Sequence, residues 1–410
     1  MNGRRVLLVV GGGIAAYKVP ELVRALRQAG CQVRCALTEA AAAFVSPLVL
    51  QSLTGQPVRR SLLSAGEEGQ IGHIELADWA DLVLIAPASA DLLARMAGGH
   101  AGDLPTAVLL ATRAPLLAAP AMNVNMWEHP ATQANVALLR ERGVRFAGPE
   151  SGELACGWQG SGRMSEPGAL AAQAALLLGT RSLAGARVLV TAGGTRERLD
   201  AVRVLANRSS GKMGFAVAAE AARRGAEVVL VAAPCALPTP AGVRRVDVES
   251  ALEMREAVRA EAPGAAVVVM SAAVADFRPA RPQSHKIKKE ELAEDAGLHI
   301  ELLRNPDILA ELCAARPAAA PGAPPAPIVV GFAAESRDLL AAARRKLARK
   351  GCDLLVANDI RQPGGGFESD ENAVVLLDAA GGAEELPRLP KAEVAAHLWD
   401  RVEKLREPGL

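Results

Sequence analysis

The chain has 410 residues, half of them hydrophobic but only 3% aromatic, so it is too long for one ordinary core and its interiors have to be built from Ala, Val and Leu. A formal net charge of +1 supplies no global field for nucleic acid or an anionic membrane, and any basic site must be local. Cys31, Cys35, Cys156, Cys235, Cys313 and Cys352 are scattered without zinc, thioredoxin or disulfide spacing and read mostly as small buried hydrophobes. No apolar run spans a bilayer, and the run after the basic Met1–Arg5 breaks at three glycines. A soluble, cytoplasmic chain without nucleic-acid or membrane partners is expected.

The elements alternate in chain order. Val6–Val10 reads as a continuous apolar strand, Pro20–Ala29 as an amphipathic helix and Gln32–Leu37 as a second strand, with Leu82–Ala86 and Pro115–Ala119 following. This is the pattern of a doubly wound α/β domain, ending near Gly179–Gly185. The pattern then restarts: strand Arg187–Thr191, helix Met213–Arg224, strand Glu227–Ala232, and further strands at Ala266–Met270, Ile328–Gly331, Asp353–Ala357 and Ala373–Leu377. A charged stretch, Arg278–Asp295, and a Pro/Ala-rich one, Arg316–Pro327, read as irregular interruptions. A last helix runs roughly from Lys391 to Arg406. Two doubly wound Rossmann-like α/β domains are predicted, residues 1–180 and 181–410.

Gly11-Gly12-Gly13-Ile14-Ala15-Ala16 follows the first strand and reads as opening a helix. Glycines there let backbone N–H groups approach a phosphate; a turn that only tightens the strand–helix connection is the competing reading. Glu39 falls slightly late for the acid of a dinucleotide site. Three further segments are Gly72-His73-Ile74-Glu75-Leu76, Pro120-Ala121-Met122-Asn123-Val124-Asn125-Met126-Trp127, and Gly152-Glu153-Leu154-Ala155-Cys156-Gly157 running to Arg163-Met164. Taken singly, His73 is a surface or capping residue, Cys156 is buried filler and Asn123 is a turn residue.

Taken together, these segments resemble the homo-oligomeric flavin-containing cysteine decarboxylases over about the first 175 residues, most specifically in P-A-M-N-x-x-M-W. The resemblance implies a flavodoxin-like domain. It also implies FMN as the electron sink that a cysteinyl carboxylate otherwise lacks on losing CO₂, with thiol oxidation, decarboxylation and reduction in sequence. It further implies His73 as base for thiol oxidation, Asn123 as the substrate-carboxylate binder and Cys156, on a Gly-rich flap, as the acid that protonates the enethiol. A thiol with an ordinary pKa near ~8.5 is mostly protonated at neutral pH and suits that role. Gly12, Gly13, Ile14, Thr38, Ala88, Ser89 and Met122 are the implied FMN contacts. Ser89 and Asp91 depart from the Thr and Asn common in that family, the latter losing an amide donor and adding negative charge, and Gly11 stands where Ser is common.

In the second half, Thr191-Ala192-Gly193-Gly194-Thr195-Arg196-Glu197 ends a strand and Asn207-Arg208-Ser209-Ser210-Gly211-Lys212-Met213-Gly214 opens a helix. The Gly-Lys pair is not a Walker A loop, because Ala206 and Met213 occupy its Gly and Ser/Thr positions. An anion cradle and a plain polar N-cap both remain open. Ser271–Phe277 ends a buried strand, and Asp276 is placed to hold Mg²⁺ beside a triphosphate. Lys286-Ile287-Lys288-Lys289 is a phosphate site or a solvated charged face. In Asn305-Pro306-Asp307-Ile308, either Asn305 or Asp307 reads as an N-cap. Lys346 and Lys350 form a surface stripe or reach phosphates.

From about Leu183 to Arg406 this set resembles the bacterial, CTP-using phosphopantothenate–cysteine ligases, with G-F-A-A-E and V-A-N-D also in order. The resemblance implies a fused two-activity chain of coenzyme A biosynthesis acting on 4′-phosphopantothenate, L-cysteine and CTP with Mg²⁺ or Mn²⁺. The carboxylate would attack the α-phosphate of CTP to give an acyl-cytidylate, and the cysteine amine would displace CMP. Asn207 and Lys286 are the implied catalytic residues, with Ala273, Asp276, Lys286, Asp307, Phe332, Lys346 and Lys350 around CTP and Asp276 on the metal. Arg198 stands where Pro is common. Decarboxylase trimers and ligase dimers, combined into a dodecamer, are the implied assembly. An NAD(P)-dependent oxidoreductase built on the first glycine turn and a non-enzymatic flavin-binding regulatory subunit are the competing functions.

Overall fold

The computed structural model describes residues 1, 3–62, 72–153, 157–288, 297–316, 326–335, 339–359 and 369–406. It divides into two compact units, Met1–Gly179 and Thr180–Leu410. Cys156 and Lys289 lie outside the described residues.

In the first unit, β1 (Arg5–Val10), β2 (Gln32–Leu37), β3 (Leu82–Ala88), β4 (Leu116–Pro120) and β5 (Arg145–Phe146) form one sheet in the order β2-β1-β3-β4-β5. Every pairing in it is parallel. Parallel strands are buried on both faces, which is why Val6 through Val10 are apolar without alternation. Val6, Leu8 and Val10 pack toward α1 (Val19–Gln28), while Leu7 and Val9 pack on the opposite face. Of the helices that follow, α2 is Pro47–Thr54, α3 Gly72–Trp79, α4 Ala90–Ala97, α5 Leu104–Ala111, α6 Val124–Glu128, α7 Pro130–Glu141 and α8 Pro167–Leu177. Leu170 and Ala174 of α8 join the α1 face, and Leu92, Leu93, Val108 and Val136 of α4, α5 and α7 cover the other. An antiparallel hairpin, β6 (Glu150–Glu153) with β7 (Gln159–Arg163), lies outside the sheet.

The glycine triplet does not open an α-helix directly, as the sequence suggested. A 3₁₀ turn, Ile14–Lys18, comes first, and α1 starts at Val19 with Pro20 in its first turn, where the missing N–H costs nothing.

The second unit contains β8 (Arg187–Ala192), β9 (Arg196–Arg198), β10 (Val204–Ala206), β11 (Glu227–Ala232), β12 (Val243–Asp247), β13 (Val267–Met270), β14 (Phe277–Pro279), β15 (Leu302–Arg304), β16 (Ile328–Glu335), β17 (Leu354–Asp359), β18 (Glu371–Asp378) and β19 (Ala383–Pro390). Eight of them form a sheet ordered β12-β11-β8-β13-β16-β17-β18-β19. Its helices are α9 (Lys212–Arg223), α10 (Ala251–Glu261), α11 (Ile308–Ala314), α12 (Leu339–Lys350) and α13 (Lys391–Arg406). On one face Leu189, Val229 and Val268 meet Met254 and Val258 of α10. α9 packs with α13, where the fully buried Trp399 donates from Nε1 to the Val217 carbonyl at 3.0 Å.

Two expectations are corrected here. Ala373–Leu377 lies in β18, but β18 runs antiparallel to β17 and leads antiparallel into β19. The charged stretch from Arg278 is not wholly irregular, since Phe277–Pro279 pairs with Leu302–Arg304 in a two-stranded ribbon. Among the described residues, no helix is long and apolar enough to cross a membrane.

Candidate functional site

In the first unit a cleft of about 1520 Å³ opens at the carboxyl ends of β1, β2, β3 and β4. That is the edge at which open α/β sheets take ligands, and the volume exceeds the ~300–1,000 Å³ of a typical small-molecule pocket. Gly12, Gly13, Ile14, Thr38, Ser89, Met122 and Asn123 all line it, so one cleft gathers the glycine turn, A-P-A-S-A-D and P-A-M-N. Ala88 ends β3 fully buried behind that lining.

Local chemistry explains each placement. A Cβ on Gly11 would meet the Pro87 carbonyl oxygen at 2.5 Å, so only glycine lets the first turn lie against the third strand. Ser89 caps α4 by accepting from the Leu92 N–H at 3.2 Å. The buried Thr38 hydroxyl accepts from the Ala41 N–H at 3.2 Å. Met122 donates its N–H to the Gly162 carbonyl of β7, and Asn123 caps α6 through the Asn125 N–H at 2.9 Å.

Several charges at the cleft are paired with one another. Arg95 donates to Asp103 at 2.9 Å and lies 3.9 Å from Asp91, so the carboxylate that replaces the common Asn has a cation one turn away. Burial pushes the Asp103 carboxyl up, but bonds from Thr106 and Arg95 outweigh this and hold it below the usual range. Lys18, buried at the rim, reaches Glu166 at 2.9 Å and the Met164 carbonyl at 3.3 Å. Ile14, Tyr17 and Met126 line the same cleft while largely exposed. Apolar side chains beside a glycine-rich backbone turn fit a flat ring system carrying a phosphate, so the residues present suit a flavin nucleotide.

His73 is not brought into this cleft. It sits half-buried near the start of α3, and α3 is tied to β2 by Arg34, which donates to Glu75 at 3.0 Å and stacks on Trp79. Cys156 falls outside the described residues, between the strands of the hairpin.

In the second unit the loops after β8 and β13 are stitched together. Thr191 and Thr195 accept through their hydroxyls from the Ala272 and Ala275 N–H groups at 3.1 and 2.9 Å, and Ala273 donates to Gly193 at 2.8 Å. Gly193 has φ +83, and a Cβ there would also meet the Ala233 carbonyl. Asn207 donates from Nδ2 to the Val274 carbonyl at 3.1 Å. The T-A-G-G-T, N-R-S-S and A-A-V-A-D segments therefore converge at the carboxyl edge of the sheet. Helix α9 starts there from Gly211, and the Ser210 hydroxyl accepts from the Lys212 N–H at 3.5 Å, so this turn combines a polar cap with backbone of the kind that can cradle an anion.

Other expected residues are placed differently. Asn305 is no N-cap: it donates from Nδ2 to the Ala275 carbonyl and from its backbone to Asp276. Asp307 caps α11 through the Ala310 N–H and also pairs with Lys350. Burial raises the Asp307 carboxyl, and Lys350 with the cap bond more than reverses that. Two residues expected to face a nucleotide thus engage each other. Lys346 is half-buried on α12 and Phe332 half-buried on β16. Asp276 and Lys286 are exposed. Among the described residues no three His, Cys, Asp or Glu side chains group as a metal site, so an ion at Asp276 would need ligand oxygens.

Sequence reading missed Lys18, Arg95, Asp103 and Glu166 around the first cleft and Asp200 in the second unit. Asp200 carried a local turn signal, Asp103 a capping-box one with Thr106, and Arg95 an i,i+4 pairing with Asp91. Lys18 and Glu166 are joined by a pairing 148 residues apart in the chain.

Residues 1–178 match the family described as Flavoprotein, and residues 183–405 match the DNA/pantothenate metabolism flavoprotein C-terminal domain. The chain is 48% identical over 396 residues to the coenzyme A biosynthesis bifunctional protein CoaBC of Vibrio cholerae, covering 97% of each. It is 50% identical over 378 residues to that of Escherichia coli K12, covering 92% of this chain and 91% of the other. A crystal structure of the C-terminal domain of such a protein is 38% identical, with TM-score 0.46, covering 55% of this chain and 98% of that one. The hydride-transfer and regulatory-subunit readings give way to these matches: the chain belongs to the family of bifunctional coenzyme A biosynthesis proteins and carries its two activities, FMN-dependent phosphopantothenoylcysteine decarboxylase and phosphopantothenate–cysteine ligase.

Proposed function

We propose that residues 181–410 ligate cysteine to 4′-phosphopantothenate at the expense of CTP, and that residues 1–180 decarboxylate the product to 4′-phosphopantetheine. The observation that carries this reading is the convergence of Asn207, Ala273, Asp276 and the α9 N-terminus at one sheet edge. In the ligase, a carboxylate oxygen of phosphopantothenate attacks the α-phosphorus of CTP and the bond to the β-phosphate breaks, releasing pyrophosphate. The cysteine amine then attacks the acyl carbon, loses a proton and expels CMP. Catalysis is positioning and charge neutralisation. Asn207, held on the Val274 carbonyl, orients the acyl group, and Lys286 neutralises phosphate charge. Asp276 would hold Mg²⁺ or Mn²⁺, which would supply positive charge against the triphosphate. Ala273, Asp307, Phe332, Lys346 and Lys350 border the nucleotide, with the Asp307–Lys350 pair acting as one unit.

In the decarboxylase, Gly12, Gly13, Ile14, Thr38, Ala88, Ser89 and Met122 hold FMN, which supplies a two-electron acceptor and then returns the pair. Asn123 binds the substrate carboxylate, and Cys156 protonates the enethiol. His73, as base for thiol oxidation, serves the cleft of a second copy. This is supported by its place beside the exposed Ile74, with Phe44, Leu48 and Val49 also exposed in the same unit. Trimers of this unit and dimers through the exposed Val204, Leu205, Leu302 and Leu303 of β10 and β15 combine by closed symmetry into a dodecamer.

The test is one incubation with 4′-phosphopantothenate, cysteine, CTP and Mg²⁺, read by mass spectrometry. 4′-Phosphopantetheine with CMP supports both halves. Turnover with ATP but not CTP overturns the nucleotide assignment.

A further inference from the structure

Asp200 is 2% exposed, and both of its carboxylate oxygens are occupied. Oδ1 accepts from the Val202 and Arg203 backbone N–H groups, each at 2.7 Å, closing a tight local turn. Oδ2 accepts from the Arg203 guanidinium at 2.7 Å and from the Ile287 N–H at 3.1 Å, eighty-seven residues away. The same guanidinium nitrogen of Arg203 donates to the Ile287 carbonyl at 3.0 Å, and Gln283 donates its N–H to the Leu199 carbonyl at 3.0 Å.

Residues 283–288 belong to no helix or strand. Among the described residues, their backbone hydrogen bonds to the rest of the unit all run to the turn 199–203. Lys286, the exposed cation assigned above to phosphate charge, is the residue immediately before the bonded Ile287. A lysine has a long flexible stem, and ordering it on an irregular segment costs entropy. Tying Ile287 on both its N–H and its C=O, in the two peptide groups that follow Lys286, removes much of that freedom before substrate arrives. A displacement of ~1 Å in such a group costs on the order of 10²-fold in rate.

We propose that Asp200 is a positioning residue of the ligase, acting through the Ile287 backbone to place Lys286. The proposal rests on the reading of Lys286 as the phosphate-neutralising cation. Burial by itself would raise the Asp200 carboxyl, and the Val202, Arg203 and Ile287 N–H groups bring it to about 2. It is an anion throughout the working pH range, so its role is as a fixed acceptor and not as a proton carrier.

The chemistry of the side chain provides a selective test. Asp200→Asn keeps one acceptor oxygen for the Val202 and Arg203 N–H groups but turns an amide N–H₂ toward Ile287 and the Arg203 guanidinium, both donors. The experiment measures pyrophosphate release with the full-length enzyme for Asp200→Asn, Lys286→Gln and the double variant, with hydrogen exchange of residues 187–192 and 283–288 alongside. Expected are a fall in kcat of about 10- to 100-fold for Asp200→Asn, faster exchange at 283–288 with strand 187–192 still protected, and a double variant no slower than Lys286→Gln alone. An Asp200→Asn enzyme with unchanged kcat, or losses that multiply in the double variant, overturns the proposal. A fully active Lys286→Gln enzyme overturns the reading of Lys286 and the proposal together. If Asp200→Asn loses protection in strand 187–192 as well, Ile287→Pro removes the same N–H from the other side. Wild-type kcat in that variant overturns the proposal, and a matching loss supports it.

Discussion

Lys18, at the end of the 3₁₀ turn that follows the glycine triplet, forms an ion pair at 2.9 Å with Glu166, three residues beyond the hairpin that brackets Cys156. The Lys18 side chain is 8% exposed and that of Glu166 48%. The pair joins the turn after the glycine triplet to the segment that follows β7. Glu166→Ala is expected to destabilise the first unit by about 1–3 kcal/mol, because it removes the anion beside a buried ammonium and leaves it, among the described residues, only the Met164 carbonyl. Lys18→Met should cost less, and the double variant should recover part of the loss. A thermodynamic cycle from chemical denaturation checks this, and simple additivity would contradict it.

Gly11→Ala is expected to lower flavin affinity at least about tenfold and stability by about 1–3 kcal/mol. The added methyl meets the Pro87 carbonyl oxygen at 2.5 Å and Leu92 Cδ2 at 3.3 Å, so the turn must move away from β3. Flavin retained after gel filtration, read by absorbance, measures the effect. Full retention would mean that the turn does not touch the cofactor.

The two activities should separate by substitution. Cys156→Ser is expected to stall decarboxylation at the oxidised product, two hydrogens short of 4′-phosphopantetheine, with ligation unaffected. Asn207→Asp should impair ligation alone, since it replaces the Nδ2 donor that holds the Val274 carbonyl with an acceptor. Mass spectrometry of both product pools decides. Full decarboxylase turnover by the Cys156 variant would remove that residue from the mechanism.

Asp200 also sets a pH dependence. Its native pKa of about 2 lies below the unfolded value near ~3.9. Its contribution to stability is therefore complete above about pH 4 and is lost as pH falls toward 2. The gap in melting temperature between wild type and Asp200→Asn should be largest at neutral pH and narrow on acidification below about pH 4. A gap that does not narrow would contradict the assignment of the shift.

Much of this molecule was determined locally. The apolar runs Val6–Val10, Arg187–Thr191 and Glu227–Ala232 specify buried parallel strands, because only strands covered on both faces are apolar without alternation. The glycine turn and the P-A-M-N, A-A-V-A-D and S-S-G-K segments carried the family resemblances that imply the two chemistries, and all follow the end of a strand or open a helix. Tertiary structure alone decided what depends on distant pairing. That β18 runs antiparallel to β17 is decided by their pairing and not by the residues of either strand. Asp307 and Lys350 became partners because α11 and α12 are neighbours. Lys18 reaches Glu166 across 148 positions. Asp200 reaches Ile287 across eighty-seven positions. Local sequence encodes backbone preference and burial; which charge meets which carboxylate is settled only when packing brings separate elements into contact.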